Sequence, residues 1–112
     1  MANFKYNRLA EDIKREITAV LRELKDPRID PMLTVVRVEL SGDMSHCKVF
    51  VSSLSGIEKA AESVKGLTSG ESFIRRELFK RLEMRKSPEL HFIADDSIAH
   101  SAEINRKLKE LE

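Results

Sequence analysis

Two runs of alternating apolar and polar residues, joined by a link too short for a helix, constrain this chain most. Leu33 to Leu40 is rich in Val and Thr, with Val36, Val38 and Leu40 set against Arg37 and Glu39. His46 to Leu54 alternates again, with Cys47, Val49 and Val51 on one side and Lys48, Phe50 and Ser52 on the other. Between them, Ser41-Gly42-Asp43-Met44-Ser45 reads as a turn. A connection this short joins antiparallel neighbours only. The pair therefore presents one apolar face that other elements must cover.

Helical patterns supply the cover. Leu9, Ile13, Ile17, Val20, Leu21 and Leu24 recur at three- and four-residue steps and line one helix face. Lys25-Asp26-Pro27-Arg28 ends that helix, because Pro27 disfavours helical geometry at Asp26. After the second strand, Ser55-Gly56-Ile57-Glu58 has the Ser-x-x-Glu form of a capping box and opens a helix through about Thr68. Gly66 and Gly70 weaken this helix and mark a bend. A second helix runs from about Glu71 to Glu83, with Ile74, Leu78 and Leu82 inward. Ser87-Pro88 then leads into a third strand, Glu89 to Ala94, with Leu90, Phe92 and Ala94 on one side. Asp95-Asp96-Ser97 can cap a last helix, Ile98 to Leu111, whose apolar stripe of Ile98, Ile104, Leu108 and Leu111 is thin and implies loose attachment.

The third strand is reached from the second through a helix pair, so the two can run parallel in one mixed sheet. Helices on one face of a small sheet make an α+β sandwich. The expected organisation is one domain over residues 1–96 and a tail helix over 97–112. At 112 residues the chain fits a single core.

Composition narrows the function classes. The single cysteine, Cys47, excludes an intramolecular disulfide and suggests a reducing compartment, the cytoplasm. No apolar run approaches a membrane span, and the polar, mixed N-terminus is unlike a secretory signal. The formal net charge of +1 would argue against nucleic acid, but the charge is unevenly spread. Residues 75–88 hold six basic side chains against Glu77 and Glu83, while residues 89–112 hold three basic and six acidic ones. Screening confines such fields to about 8–10 Å, so the local surplus matters more than the total.

Catalytic signatures are missing. His46, His91 and His100 do not sit at any metal-binding or zincin spacing, and no metal or cofactor is expected. Cys47 lies on the apolar side of its strand, where a buried, inert thiol is the expectation. No nucleophile-elbow or phosphate-loop glycine pattern occurs. Asp95 and Asp96 read as helix-capping residues rather than an acid–base pair.

The basic helix is the stronger lead. Glu71–Arg75 and Glu77–Arg81 are four apart in the favourable order, which gives both arginines a structural role. Arg76 and Lys80 lie one turn apart on the face away from Ile74, Leu78 and Leu82, with no acidic residue at i−4. Arg85 and Lys86 project just beyond the helix end. Arg75, Arg76, Lys80, Arg81, Arg85 and Lys86 suit either a solvated helix face or phosphate contacts, with Arg76 and Lys80 the foremost candidates. Ser69-Gly70-Glu71-Ser72 marks the bend where a phosphate could approach free N–H groups, or an ordinary helix–helix turn. Lys25 and Arg28, at the end of the first helix, complete the candidate set. A rival reading is a protein–protein adaptor that docks through its C-terminal helix without touching RNA.

Several stretches together resemble the ribosome-binding factor A family: Arg8-Leu9 and the helix that follows, Lys25-Asp26-Pro27-Arg28, Val35–Val38 leading to Ser41-Gly42-Asp43, and Lys48-Val49-Phe50-Val51-Ser52. The most specific stretch runs from Phe73-Ile74-Arg75-Arg76-Glu77-Leu78 through Arg81-Leu82, Arg85, Pro88-Glu89-Leu90 and Phe92 to Asp95-Asp96-Ser97. The resemblance implies a type II KH-like fold. General KH domains clamp the nucleic-acid backbone with a GXXG loop, but here Gly66 and Gly70 are separated by three residues. The family carries an Ala-x-Gly kink instead, and this chain has Gly70-Glu71-Ser72 at those positions, which moves the flexible residue to the front. The resemblance also implies a non-catalytic factor that binds the small ribosomal subunit during late maturation of 16S ribosomal RNA; a monomer is expected. Other assembly factors or GTPases would act alongside it, and growth in the cold would depend on it.

Overall fold

A computed structural model describes residues 4–84 and 87–110. In chain order the elements are α1 (Phe4–Leu21), β1 (Thr34–Leu40), β2 (His46–Ser52), α2 (Ile57–Ser69), α3 (Glu71–Leu82), β3 (Glu89–Asp95) and α4 (Ser97–Glu110). This is the expected α+β, α-β-β-α-α-β order with one further helix. The strands form one sheet in the order β1-β2-β3, so β2 is central. β1 and β2 pair antiparallel, with Leu40 opposite Cys47, and β2 and β3 pair parallel, with Cys47 opposite Leu90.

Strand alternation separates two faces. Val35, Leu40, Cys47, Val49, Val51, Leu90 and Phe92 are buried on one of them. Ile13, Ile17 and Val20 of α1, Leu67 of α2, and Ile74 and Leu78 of α3 join the same core. The three helices therefore cover one face of the sheet. The other face carries Arg37, Glu39, His46, Lys48, Glu89 and His91, all exposed.

β2 ends at Ser52, two residues before the expected Leu54, and Ser52 is buried rather than on the polar side; four further details differ from expectation. First, α1 ends at Leu21, one turn earlier than Leu24. Glu23 N–H and Leu24 N–H bond back to Val20 O and Leu21 O, so the chain leaves in a tighter turn that still packs Leu24 against the core. Second, β1 contains a bulge between Val35 and Arg37, which breaks the simple alternation expected around Val36.

Third, the capping box at Ser55 and Glu58 does not form. Gly56 is the N-cap, at φ 109°, and no side chain caps the helix. A turn bond from Gly56 N–H to Ser53 O places the glycine at the helix start, one residue beyond Ser55. The positive φ favours glycine there. Fourth, Gly66 is not a bend. It lies buried within α2, and a Cβ there would meet Ile29 Cγ1 at 2.8 Å and Asp26 Cγ at 3.2 Å. The missing side chain lets the loop after α1 lie against the helix.

A polar group sits beneath that loop. Ser53 Oγ donates to Asp30 Oδ2 at 2.5 Å, Met32 N–H donates to Asp30 Oδ1 at 2.9 Å, and Asp30 N–H donates to Ser63 Oγ at 2.9 Å. Asp30, Ser53 and Ser63 are all buried. These bonds, led by the Ser53 hydroxyl, hold the Asp30 carboxyl below its ordinary value. Cys47 is fully buried as expected, and burial pushes its thiol up to about 12.

Candidate nucleic-acid interface

The site is built on α3, and the packing of that helix decides which side chains are free. Its inner face inserts Ile74 and Leu78 into the core, with Leu82 half-buried behind them. Three polar contacts fix the outer frame. Glu71 Oε2 accepts Leu90 N–H at 2.8 Å, tying the helix start to β3. Ser87 Oγ donates to Arg75 O at 3.0 Å, holding the return segment against the helix. Arg81 reaches across to α1's end and donates to Glu23 Oε2 at 2.7 Å, with Glu77 at 3.4 Å and Glu16 at 3.9 Å.

These contacts sort the candidate cations. Arg75 pairs with Glu71 at 3.3 Å, the i,i+4 partner expected. Arg81 is engaged by three carboxylates and belongs to the α1–α3 contact. Lys80, read as unpartnered from its i−4 position, has Glu77 three residues back at 3.7 Å, on the same helix face. The Lys80 side chain is itself 67% exposed, so the lysine remains available to another anion. Arg76 is exposed and makes no ion pair among the described residues. Arg85 and Lys86 lie outside the described residues.

Around Arg76 the exposed face runs through Ser69, Ser72, Phe73, Arg76, Phe79 and Lys80 at three- and four-residue steps. Phe73 and Phe79 are 41% and 46% exposed. Sequence reasoning missed the two phenylalanines as surface groups. The signal was present in their spacing, since neither falls on the Ile74-Leu78-Leu82 stripe. A flat aromatic beside a free guanidinium offers base stacking next to phosphate contact.

The bend lies at the start of this face. Gly70, at φ −97° and ψ 11°, joins two nearly continuous helices. Its N–H bonds Gly66 O and Leu67 O, and its carbonyl accepts Ile74 N–H at 3.0 Å. Ser69 Oγ donates to Lys65 O in its own helix, whereas Ser72 is exposed. Lys25 and Arg28 sit apart, in the loop after α1. Arg28 is clamped to Asp26 at 2.7 Å, and that side-chain bond holds the Asp26 carboxyl at about 2. Lys25 is exposed and lacks an ion pair among the described residues.

Elsewhere, the parallel register of β2 and β3 brings His46, Glu89 and His91 together on the bare sheet face, a juxtaposition that residue spacing along the chain could not reveal. No helix among the described residues is long and apolar enough to cross a membrane.

A mixed three-stranded sheet with helices on one face, a kinked α2–α3 pair and a basic, aromatic outer helix face define a small KH-like binding domain. The family model described as Ribosome-binding factor A matches residues 5–108. The Treponema denticola ribosome-binding factor A is 41% identical over 114 residues, covering 100% of this chain and 86% of that one. The crystal structure of ribosome-binding factor A from Thermus thermophilus superposes with a TM-score of 0.72 at 30% identity, covering 80% of this chain and 93% of that one. Thermus thermophilus ribosome-binding factor A coordinates, fitted into the cryo-electron-microscopy map of a 30S complex, match with a TM-score of 0.65 at 32% identity. That match covers 77% of this chain and 90% of the other. The chain belongs to the ribosome-binding factor A family.

Proposed function

We propose that the protein binds the 30S ribosomal subunit during its late maturation, contacting 16S ribosomal RNA through the outer face of α3. It acts by binding and carries no catalytic step. The observation that supports this is the free Arg76 guanidinium between Phe79 and Phe73 on a helix whose other arginines are held by carboxylates. Arg76 and Lys80 contact phosphates, and the positive charges of Arg85 and Lys86 add to the attraction. Phe73 and Phe79 stack on unpaired bases, and Ser72 and Gly70 approach the RNA backbone at the bend. A relative's coordinates placed in a 30S complex support the partner. Residues 1–96 form the RNA-binding unit, with 97–112 as its attached helix. The protein works in the cytoplasm as a monomer, alongside other assembly factors or GTPases, and supports growth in the cold.

Phosphate contacts release counterions, so binding weakens as salt rises. In a subunit-binding titration over several salt concentrations, Arg76→Ala with Lys80→Ala flattens the slope of log affinity against log salt by about one unit per lost contact. Unchanged affinity of the double variant at every salt concentration sinks the proposal.

One observation favours the adaptor as a second reading. Ile104 and Leu108 of α4 are 44% and 58% exposed, an apolar stripe with little covering it. Ile104→Glu with Leu108→Glu separates the two readings. Lost subunit binding in that variant, with α3 intact, supports the adaptor, and retained binding supports the α3 face.

A further inference from the structure

We propose that the bare face of the sheet carries a transition-metal site formed by His46, Glu89 and His91, of a kind suited to zinc. The site is independent of the α3 interface. It is built by strand register. His46 stands opposite Glu89 across the parallel β2–β3 pair, and Lys48 stands opposite His91. Alternation turns these side chains away from buried Cys47 and Leu90, so all three candidate ligands are exposed on one face.

Their donor atoms converge. His46 Nδ1 lies 3.0 Å from His91 Nε2 and 3.6 Å from Glu89 Oε2. One ligand atom from each residue falls within 4.8 Å of the other two. Zinc–ligand bonds of about 2.0–2.1 Å in tetrahedral geometry set neighbouring ligand atoms about 3.3–3.4 Å apart. The two observed separations bracket that distance. The imidazole rings are tilted 34° to one another, with centroids 5.2 Å apart, rather than stacked face to face. Without a metal the two nitrogens share one hydrogen bond, with one ring donating and the other accepting. With a metal both direct lone pairs at it.

Two imidazoles and a carboxylate select zinc, nickel or copper over magnesium or calcium, which prefer all-oxygen shells. Three protein ligands leave a fourth position for water. Exposure means that no burial penalty opposes the ion. Lys48 is a cation on the same face, between these strands' ligands and Glu39 of β1. Its ammonium limits affinity, and Lys48→Glu is expected to strengthen binding.

The test uses the full chain and zinc chloride alone, followed by calorimetry and by the imidazole signals in NMR. One zinc ion binds per chain, and the His46 and His91 signals move while those of His100 stay. His91→Ala and His46→Ala each weaken binding at least about tenfold, since loss of an outer-shell partner alone costs roughly 10- to 100-fold. Both side chains are exposed, so both variants fold, which the amide spectrum verifies. Zinc binding of unchanged affinity in the two histidine variants overturns the assignment, as does movement of the His100 signals alone.

Discussion

Gly66 and Gly70 look alike in the chain, four residues apart near the end of one helical pattern, yet a methyl group added to each should have opposite effects. At Gly66 the new carbon lies 2.8 Å from Ile29 Cγ1 and 3.2 Å from Asp26 Cγ and Oδ2. Carbon atoms rest comfortably at about 3.5–4.0 Å, so the loop must retreat by several tenths of an ångström. Asp26 is poorly placed to retreat, because its carboxylate accepts Arg28 N–H at 2.9 Å and pairs with the guanidinium at 2.7 Å. Overpacking of this kind costs about 1–3 kcal/mol, and alanine returns about 0.8–1.0 kcal/mol as the better helix former. Gly66→Ala should therefore destabilise the fold by about 1 kcal/mol. At Gly70, φ is −97° and the nearest atoms to a new Cβ lie 3.8 Å away. No strain arises there, and the stiffer unfolded chain should add about 0.4–1 kcal/mol of stability. The two variants then differ by about 2 kcal/mol. With a urea slope of about 1–2 kcal/mol/M for a domain of this size, their unfolding midpoints separate by about 1 M or more. Equal midpoints would refute the claim that the loop after α1 is seated on Gly66. Gly70→Ala also probes the interface: stability retained with subunit binding lost would mark the bend as a point of close RNA approach.

Two further predictions concern buried groups. Asp30→Ala leaves the Ser53 hydroxyl and Met32 N–H without their acceptor and should cost about 2–4 kcal/mol in urea unfolding. The folded Asp30 carboxyl is depressed, so its contribution is present above the ordinary carboxylate value of about 3.9 and is lost as pH falls through the lower folded value. Stability of Asp30→Asn should show less of that acid loss, and an unchanged acid limb in the variant would contradict the assignment. The Cys47 thiol, fully buried and pushed up to about 12, should react with a disulfide reagent only as fast as the chain opens. Rapid labelling of the native protein under conditions where backbone amides stay protected would refute its burial.

The parts of the fold legible in sequence are those set by local periodicity. Cys47, Val49 and Val51 announced their buried side, and Ile13, Ile17 and Val20 announced theirs, because a side chain's face follows directly from its spacing. The family resemblance likewise rested on short segments in order, and the matching family model spans them. Features that depend on tertiary contact were less visible. Ser55 and Glu58 had the right spacing for a cap, but the turn from Ser53 placed Gly56 at the helix start. Gly66 resembled a break because the loop that packs on it lies some forty residues earlier in the chain. Arg81 joined the surplus of positive charge on paper, although Glu23, fifty-eight residues away, takes its guanidinium. His46 and His91 meet only through the parallel register, which a chain reading leaves open.

The bulge between Val35 and Arg37 has a consequence beyond register. β1 lies at the rim of the sheet, where one row of backbone donors and acceptors has no neighbouring strand among the described residues. A flat, apolar rim would invite another chain to add its own strand and start an aggregate. Here the extra residue twists the rim, and Arg37 and Glu39 place opposite charges along it, 3.0 Å apart. A docking strand would have to match an interrupted ladder and disturb that ion pair. The irregularity thus makes this rim of the sheet a poor template for a further strand.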